Sequence, residues 1–283
     1  MLLRAFAKIN LDLRILGRRP DGYHEVRTIL QIVDWYDEMR LDNSERFEFV
    51  CHGGPGDESN LVVRAVREFE RATGVPVDVR IELFKNIPIG AGLGGGSADA
   101  AVTLLGLQQF CGRSLPSSQL EGCLRALGSD VPFFAVGGKA FGVGRGDEVV
   151  PQEDDPTYWI VIVHTGVAIS TAEAYSWLTV SGESNTIEGF YAQLDPGRES
   201  GLPGNDFENP VFEHHPVLGE IKGELLRLGA TQAALSGSGS ALFGRFDRKE
   251  HAVKAASELA RYGIARVTRP LSRTEYLGSI IVR

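Results

Sequence analysis

The start of the chain shows the alternation of hydrophobic and polar positions that is typical of β-strands. Residues 6–16 alternate and predict a strand, and residues 23–33 predict a second strand. The residues between them, 17–22, include two glycines, a proline and an aspartate, which favour a turn. The pattern therefore predicts a β-hairpin in this part of the fold.

The pattern then changes to the spacing of an amphipathic helix. Residues 61–73 predict a helix that ends at a glycine suited to a C-terminal cap. In residues 77–83, apolar side chains alternate with aspartate, arginine and glutamate, as in a strand of an antiparallel sheet with one wet face. Residues 97–110, which are rich in alanine and leucine, and residues 117–127 predict two more helices.

A polar stretch flanked by prolines, residues 151–156, separates two parts of the chain. We place a domain boundary there, between a first domain of residues 1–153 and a second domain of residues 154–283. The final residues, 279–283, predict a short strand that could return to the first domain.

The second part of the chain predicts alternating strands and helices. The predicted strands are residues 158–163, 231–235, 241–246 and 264–269, and the predicted helices are residues 170–178, a longer helix ending at Leu228, and residues 248–262. The polar residues 181–205 are interpreted as a loop or a loosely structured insertion. Without the helical insertion, the order is βαββαβ, the split arrangement of ferredoxin-like domains.

Composition adds that the chain is a soluble, globular protein with ample material for a buried core. Of its 283 residues, 43% are hydrophobic. The net charge of −8 disfavours nucleic acid and anionic membrane as partners, because both attract basic surfaces. No apolar stretch approaches the roughly 20 residues that span a bilayer, and the first ten residues lack the apolar region of a signal peptide.

The cysteines and histidines indicate neither a disulfide framework nor a zinc site. The three cysteines form no CxxC pattern, and the six histidines form no HExxH pattern. A reducing cytoplasm is therefore the expected location.

Glycine is the compositional exception, with 34 residues of 283, about 12% against an average near 7%. Five glycines fall within seven residues, just before the predicted helix 97–110. Glycines let the backbone approach a ligand closely, and a helix N-terminus presents unpaired N–H groups to an anion. The loop therefore predicts a phosphate cradle. Its expected ligand-binding residues are Pro88, Gly90, Ala91, Gly92, Leu93, Gly94, Gly95, Gly96 and Ser97.

Four alternatives for this loop are weaker. A purely structural turn would not need so many glycines, because each costs chain entropy. Gly90, Gly92 and Gly95 also match the dinucleotide pattern GxGxxG, but the preceding strand lacks the buried, continuous apolar character of that fold. No Lys-Ser or Lys-Thr pair follows the glycines, as a P-loop requires, and the protein-kinase signatures are missing.

Proline, glycines and then Ser-Ala-Asp-Ala at a helix start resemble the ATP loop of the galactokinase, homoserine kinase, mevalonate kinase and phosphomevalonate kinase (GHMP) superfamily. Four further segments, residues 7–11, 17–25, 127–134 and 236–240, resemble in order the motifs of one member family, which acts on a cytidyl diphosphate sugar alcohol. The resemblance implies an α+β fold in two domains. An ATP domain like domain 2 of ribosomal protein S5 would precede a ferredoxin-like substrate domain.

The resemblance also implies the reaction, which is transfer of the γ-phosphoryl group of ATP, brought with Mg²⁺, to the 2-hydroxyl of the sugar alcohol. Asp130 would accept the hydroxyl proton, while Lys8 would keep Asp130 anionic and offset charge on the moving phosphoryl group. The alternatives are that Asp130 is a turn residue before Pro132 and that Lys8 is a solvated lysine on a strand.

The remaining implied site residues concern the substrates. Asn10 shares a strand face with Lys8 and would bind substrate, orient Asp130 or serve as a structural amide. Tyr23 and His24, at the end of the hairpin turn, are expected to bind the substrate. His24 would hydrogen-bond the cytosine edge or be a surface histidine of the turn. Tyr175 would stack on the cytosine or belong to the core.

Further polar groups are expected around the phosphates. The N–H groups of Gly237, Ser238 and Gly239 would face the substrate diphosphate or support the ATP loop. Asn60 and Lys85 are candidate nucleotide contacts. Ser97 is placed at an N-cap or phosphate position and is the expected protein neighbour of Mg²⁺, since no carboxylate cluster predicts a metal cage.

Three alternatives to this interpretation stay open. The chain could be a superfamily kinase for homoserine or mevalonate, neither of which has a base to stack on Tyr175. It could be a non-catalytic ATP- or sugar-binding protein, or an RNA-binding protein, since fold alone does not determine function. One departure from the family pattern is Asp12, which falls where an apolar or aromatic residue is expected.

Overall fold

The computed structural model describes residues 1–178 and 204–282, so most of the predicted insertion 181–205 lies outside the described residues. The described strands are β1 Leu2–Arg18, β2 His24–Asn43, β3 Glu48–His52, β4 Val79–Phe84, β5 Lys139–Val143, β6 Glu148–Pro151, β7 Trp159–His164, β8 Gln232–Leu235, β9 Leu242–Phe246, β10 Ile264–Thr268 and β11 Ile281–Val282. The described helices are α1 Leu61–Thr73, α2 Gly95–Phe110, α3 Ser117–Leu127, α4 Val131–Val136, α5 Thr171–Ser176, α6 Glu208–His214, α7 Pro216–Arg227, α8 Lys249–Leu259 and α9 Arg273–Ser279.

The predicted hairpin is confirmed, and its strands are longer than the alternation indicated. β1 and β2 pair antiparallel from Arg18 opposite His24 to Leu2 opposite Arg40. Register shifts interrupt the ladder at several points, one of them between Phe6 and Lys8. Irregularities of this kind bend a strand and re-aim its side chains.

The first sheet has the strand order β11-β1-β2-β4-β3, with β5 on β2 and β6 on β5. β4 shows the predicted alternation, with Val79, Ile81 and Leu83 buried, and it pairs antiparallel with β2. Its other neighbour, β3, is parallel to it, which the sequence did not predict. Helices α1 to α4 pack with this sheet around one apolar core.

The end of the described chain returns to the first sheet, since β11 pairs with β1. Just before it, the hydroxyl of Tyr276 in α9 donates to the carbonyl oxygen of Phe134 at 2.6 Å, within the first core. The boundary that we place between residues 153 and 154 stays a prediction, and residues 271–282 contribute to the packing of the first sheet.

The second sheet is fully antiparallel, with the order β10-β7-β9-β8. The order of its strands and of the helices between them along the chain confirms the predicted βαββαβ arrangement. Residues 160–163 of β7 are all apolar, and both faces of the strand are buried there. Val161 and Val163 face the helix-covered core, whereas Ile160 and Ile162 face the first sheet.

The prediction of a single long helix ending at Leu228 is wrong, because this part of the chain forms two separate helices, α6 and α7. His215 lies between them with φ −133°, outside the helical range. The next residue is Pro216, and a proline disfavours helical backbone in the residue before it. The proline then starts α7, where its missing N–H costs no hydrogen bond.

A third apolar core joins the two sheets. It contains Ile9 and Trp35 of the first sheet, Ile162 and Phe243 of the second, and Leu93 from the loop before α2. The two sheets therefore pack as one unit, and the loop that carries the glycines is part of their contact. Among the described residues, no helix is both long and apolar enough to cross a membrane.

This joint core gives a stability prediction. Replacing Ile162 by alanine should lower the free energy of unfolding by about 2–5 kcal/mol, because the side chain is fully buried and its loss leaves a cavity. Ile264→Ala, in the neighbouring strand β10 and 49% exposed, is the matched control and should cost less than about 1 kcal/mol. Urea denaturation measures both values. Equal costs would contradict the assignment of Ile162 to a buried contact between sheets.

Candidate active site

A cavity of about 430 Å³ lies where β1, the loop before α2 and the loop between β8 and β9 meet. We call residues 88–96 the first glycine loop and residues 236–240 the second glycine loop. The cavity is lined by most of the residues that the sequence singled out, namely Lys8, Asn10, Asn60, Lys85, Pro88, Gly90, Ala91, Gly92, Leu93, Gly94, Gly95, Gly96, Ser97, Asp130, Tyr175, Gly237 and Ser238. Tyr23, His24 and Gly239 do not line it.

Lys8 is a buried lysine, not a solvated one, with a side chain only 4% exposed. Its ammonium group lies 3.4 Å from a carboxylate oxygen of Asp130 and donates to Oδ1 of Asn10 at 2.7 Å. A buried charge is costly unless it is paired and hydrogen-bonded, and both conditions hold here.

Asn10 continues this polar network along the same face of the hairpin. Its Nδ2 donates to the hydroxyl of Thr28 at 2.8 Å, and that hydroxyl donates to the carbonyl oxygen of Asp12 at 2.8 Å. The amide of Asn10 therefore holds the Lys8 ammonium directly. Among the described residues, the side chain of Asn10 bonds to Lys8 and Thr28 and not to Asp130.

Asp130 stands at the N-cap of α4, a position where an aspartate usually bonds to the helix N–H groups. Its side chain makes no such capping bond and is 41% exposed beside Lys8. The carboxylate is therefore available to a molecule in the cavity. The helix that follows Asp130 was not predicted, since α4 is only six residues long.

The first glycine loop needs its glycines partly for packing. Gly90, Gly92 and Gly94 have φ values of +69°, +77° and +70°, which other residues rarely adopt. A Cβ on Gly92 would overlap the carbonyl of Ser236, and one on Gly94 would lie 2.9 Å from Cγ of Lys8. The carbonyl oxygen of Leu93 also accepts from the Lys8 N–H at 2.9 Å, which ties the loop to β1.

Helix α2 begins earlier than predicted, at Gly95, with Gly94 as its N-cap. The placement of Ser97 at the N-cap is therefore wrong. The N-cap is Gly94, whose left-handed backbone precedes the first helical residue, Gly95. Ser97 lies in the first turn and lines the cavity. The unpaired N–H groups of this turn can serve an anion.

The two glycine loops are bonded to each other. The Ser236 hydroxyl donates to the carbonyl oxygen of Gly92 at 3.0 Å. Directly after the second loop, the Ala241 N–H donates to the carbonyl oxygen of Ala91 at 3.0 Å. The position of a Cβ on Gly237 lies 3.4 Å from Nζ of Lys8. The second loop thus supports the first and also borders the cavity.

His24 and Tyr175 contact each other through stacked rings, with centroids 4.6 Å apart. Burial raises the pKa of Tyr175 to about 12, and the charge of Asp130 adds to the rise. Burial also lowers the pKa of His24, so a neutral ring is favoured. Tyr23 is 53% exposed, and its ring is covered by the guanidinium of Arg145, a cavity-lining residue that the sequence did not single out.

Lys85 belongs to a buried cluster behind the first glycine loop. Its ammonium group bonds to Asp37 and lies 2.6 Å from Asp99, and both carboxylates are buried. Burial alone would lower the pKa of Lys85, but the charges of Asp99 and Asp37 raise it above its ordinary value. Oδ1 of Asp99 is buried and has no hydrogen-bond partner within the described part of the chain.

Sequence reasoning singled out Asn60 but missed the two buried aspartates, Asp37 and Asp99. Asn60 caps α1, since its Oδ1 accepts from the Val62 N–H at 2.9 Å and its Nδ2 donates to the carbonyl oxygen of Pro55. Asp99 had a signal, because a carboxylate within an alanine-rich helix needs a partner. Asp37 had none, since it lies on a long strand of mixed character.

Comparisons with known proteins agree with this architecture. The model of the GHMP kinases N terminal domain matches residues 60–138, and that of the GHMP kinases C terminal domain matches residues 192–265. A 4-diphosphocytidyl-2-C-methyl-D-erythritol kinase from Solibacter usitatus (strain Ellin6076) is 45% identical, with 94% of this chain and 89% of that protein covered.

Solved structures show the same likeness. A crystal structure of 4-(cytidine 5'-diphospho)-2C-methyl-D-erythritol kinase has a TM-score of 0.81 and 36% identity, with 95% of this chain and 99% of that chain covered. A homoserine kinase from Cytophaga hutchinsonii has a TM-score of 0.72 at 19% identity, with 96% and 94% covered, and shows likeness of fold alone.

The cluster behind the loop predicts a pH-dependent stability. Burial raises the pKa of Asp99 from 3.8 to about 7, although Lys85 opposes the rise. The folded state therefore keeps a proton that the unfolded chain loses, so stability from this group is present below about pH 4 and is lost as the pH rises through 7. The variant D99N removes this titration. We therefore expect its stability relative to that of the wild type to increase from pH 6 to pH 8.

The measurement is thermal unfolding at these two pH values. The difference in melting temperature should move in favour of D99N by about 2 °C or more, which corresponds to about 1 kcal/mol in a chain of this size. Asp78→Asn, at an exposed position, is the control and should show no such movement. A difference that stays constant, or that moves against D99N, would contradict the raised pKa.

Proposed function

The chain belongs to the 4-diphosphocytidyl-2-C-methyl-D-erythritol kinase family of GHMP kinases, and from this premise we propose its reaction in detail. It transfers the γ-phosphoryl group of ATP to the 2-hydroxyl of 4-diphosphocytidyl-2-C-methyl-D-erythritol, in the non-mevalonate pathway to isoprenoid precursors. The observation that carries the proposal is the contact between Lys8 and Asp130, 3.4 Å apart, beside a cavity between two glycine loops.

ATP would place its phosphates on the first glycine loop and the start of α2. The loop residues line the cavity, and the first turn of the helix supplies N–H groups and the positive end of the helix dipole. Lys8, which lines the cavity from β1, adds a positive charge beside the first glycine loop. These groups stabilise the charge that spreads over the phosphoryl oxygens in the transition state.

Asp130 would take the proton of the 2-hydroxyl as the new bond to phosphorus forms. Its carboxylate is exposed to the cavity, and it is not used to cap α4. Aspartate is a weak base, which suffices when the proton leaves late in the transfer. Asn10 acts through Lys8, because its Oδ1 fixes the ammonium group that lies beside Asp130.

The cytidine would bind at the end of the cavity where Tyr175 lies. Tyr175 already stacks on His24 and meets the edge of Phe207, with ring centroids 4.9 Å apart, so a flat aromatic surface is in place. A cytosine ring adds to such a surface by stacking, and the His24 ring can bond to its polar edge. Tyr23, outside the cavity lining, would close the rim through its contact with Arg145.

Mg²⁺ would arrive with ATP. Within the described residues, no group of three or more histidines, cysteines or acidic residues could hold a metal ion by itself. Mg²⁺ usually keeps several waters and is bound through one or two protein groups and substrate phosphates, so a single protein ligand fits it. The hydroxyl of Ser97, which lines the cavity, would hold the ion. The ion would neutralise charge on the phosphate oxygens.

The partners of the chain are then ATP and the small acceptor. We propose that it binds no nucleic acid, since its net charge is −8, and that it works in the cytoplasm, where its three free cysteines would stay reduced. The anionic ligands are held by local N–H groups, Lys8 and Mg²⁺ against the overall charge.

Replacing Asp130 by asparagine tests the catalytic assignment. The change keeps the shape of the side chain and removes the proton acceptor, so we expect kcat to fall by about 10²- to 10⁴-fold, with little change in KM for either substrate. The measurement is ADP release with 4-diphosphocytidyl-2-C-methyl-D-erythritol as acceptor.

The exposed Asp78 again supplies the control, since D78N makes the same chemical change on the surface and should leave kcat unchanged. Activity of D130N close to that of the wild type would overturn the role of Asp130.

A further inference from the structure

Residues 204–206 attach the start of α6 to strand β1. The Leu13 N–H donates to the carbonyl oxygen of Gly204 at 2.9 Å, and the Asp206 N–H donates to the carbonyl oxygen of Leu13 at 3.1 Å. The Asp206 carboxylate also accepts from the Ile15 N–H at 2.8 Å. Asn205, between them, is 5% exposed. Its backbone is therefore fixed to the strand that carries Lys8.

The side chain of Asn205 reaches the second glycine loop. Its Nδ2 donates to the carbonyl oxygens of Leu235 at 2.9 Å and Gly237 at 2.7 Å. Its Oδ1 accepts from the Phe207 N–H at 2.9 Å. The amide has only one orientation that satisfies these three partners, because its nitrogen can only donate and its oxygen can only accept.

The bond to Gly237 determines where the next N–H points. The carbonyl of Gly237 and the N–H of Ser238 share one planar peptide unit and lie on opposite edges of it. Asn205 holds the carbonyl edge, so the Ser238 N–H faces away from Asn205. Ser238 lines the cavity, and within the described part of the chain its N–H has no partner.

We propose that Asn205 is a positioning residue, which orients the Ser238 N–H as a donor to the diphosphate of the acceptor substrate. The inference rests on the proposed function, since that function gives the acceptor its diphosphate. Ser238 is on the acceptor side of the cavity, because its hydroxyl lies 3.4 Å from that of Thr171, at the start of the helix that carries Tyr175. An N–H in a concave glycine loop is a common contact for an anion.

The loop needs such support because Gly237 has a left-handed backbone, with φ +57°, and glycine also adopts many other conformations. Without the donated hydrogen bond, the peptide unit between Gly237 and Ser238 is free to rotate and to turn its carbonyl oxygen toward the cavity. A carbonyl oxygen in that place would repel a diphosphate.

The variant Asn205→Asp tests this role, since it keeps the shape of the side chain but faces both carbonyl oxygens with a group that cannot donate. The probes are cytidine 5'-diphosphate and cytidine, whose binding is measured by isothermal titration calorimetry. We expect Kd for the diphosphate to rise by about 10- to 100-fold, the range for one hydrogen bond to a charged group. Kd for cytidine and KM for ATP should change less than about twofold.

A matched control is available in Gln31, which is 1% exposed and does not line the cavity. Its Nε2 also donates to two backbone carbonyl oxygens, those of Ile32 and Leu271. Gln31→Glu makes the same change from amide to carboxylate, so it should lower the melting temperature while leaving both Kd values unchanged. A second variant, Asn205→Ser, removes one donor without adding charge and should raise Kd for the diphosphate by a smaller factor.

Other outcomes overturn the inference. Equal weakening of cytidine and its diphosphate would show general damage to the cavity, and a rise only in KM for ATP would assign the loop to the other substrate. Unchanged affinity in both Asn205 variants would remove the role of Asn205 and leave the proposed function intact. If the wild type binds neither probe, the proposed function fails, and the inference fails with it.

Discussion

The buried ammonium group of Lys8 is the constraint on which the rest of the site depends. A charge in the interior needs an opposite charge and hydrogen bonds, so β1 must place Asn10 beside it, and the turn before α4 must bring Asp130 within 3.4 Å. Leu93 of the first glycine loop bonds to the backbone of the same lysine. In the proposed reaction, the contact that pairs the charge of Lys8 is also the contact that activates the hydroxyl.

The excess of glycine has two physical causes. Gly92 and Gly94 leave room for the second glycine loop and for the side chain of Lys8, so part of the glycine content serves packing between the two sheets. The positive φ values of the loop and the start of α2 leave N–H groups at the cavity. The proposed phosphate cradle and the packing contact between the two sheets therefore occupy the same short segment. The third apolar core, with Trp35 and Phe243, stabilises this contact between the sheets.

Local features of the sequence predicted local features of the fold. The hairpin, helix α1 with its glycine cap and the βαββαβ order follow from periodicity and turn residues, and Lys8 with Asn10 follows from the alternation of β1. Long-range contacts could not be found in this way. Asp37 and Asp99 meet at Lys85 only after β2, β4 and α2 have packed, and the Asn205 amide bonds to a loop residue 32 positions further along the chain. The short elements β3 and α4 depend on neighbours more than on their own patterns.

The most direct test of the account is ADP release by the purified chain with ATP and Mg²⁺ and three separate acceptors. These are 4-diphosphocytidyl-2-C-methyl-D-erythritol, mevalonate and homoserine, of which only the first has a base that Tyr175 and His24 can bind. The account predicts ADP release with the cytidyl acceptor and none above background with the other two. Turnover of mevalonate or homoserine at a comparable rate, or no turnover of the cytidyl acceptor, would contradict it.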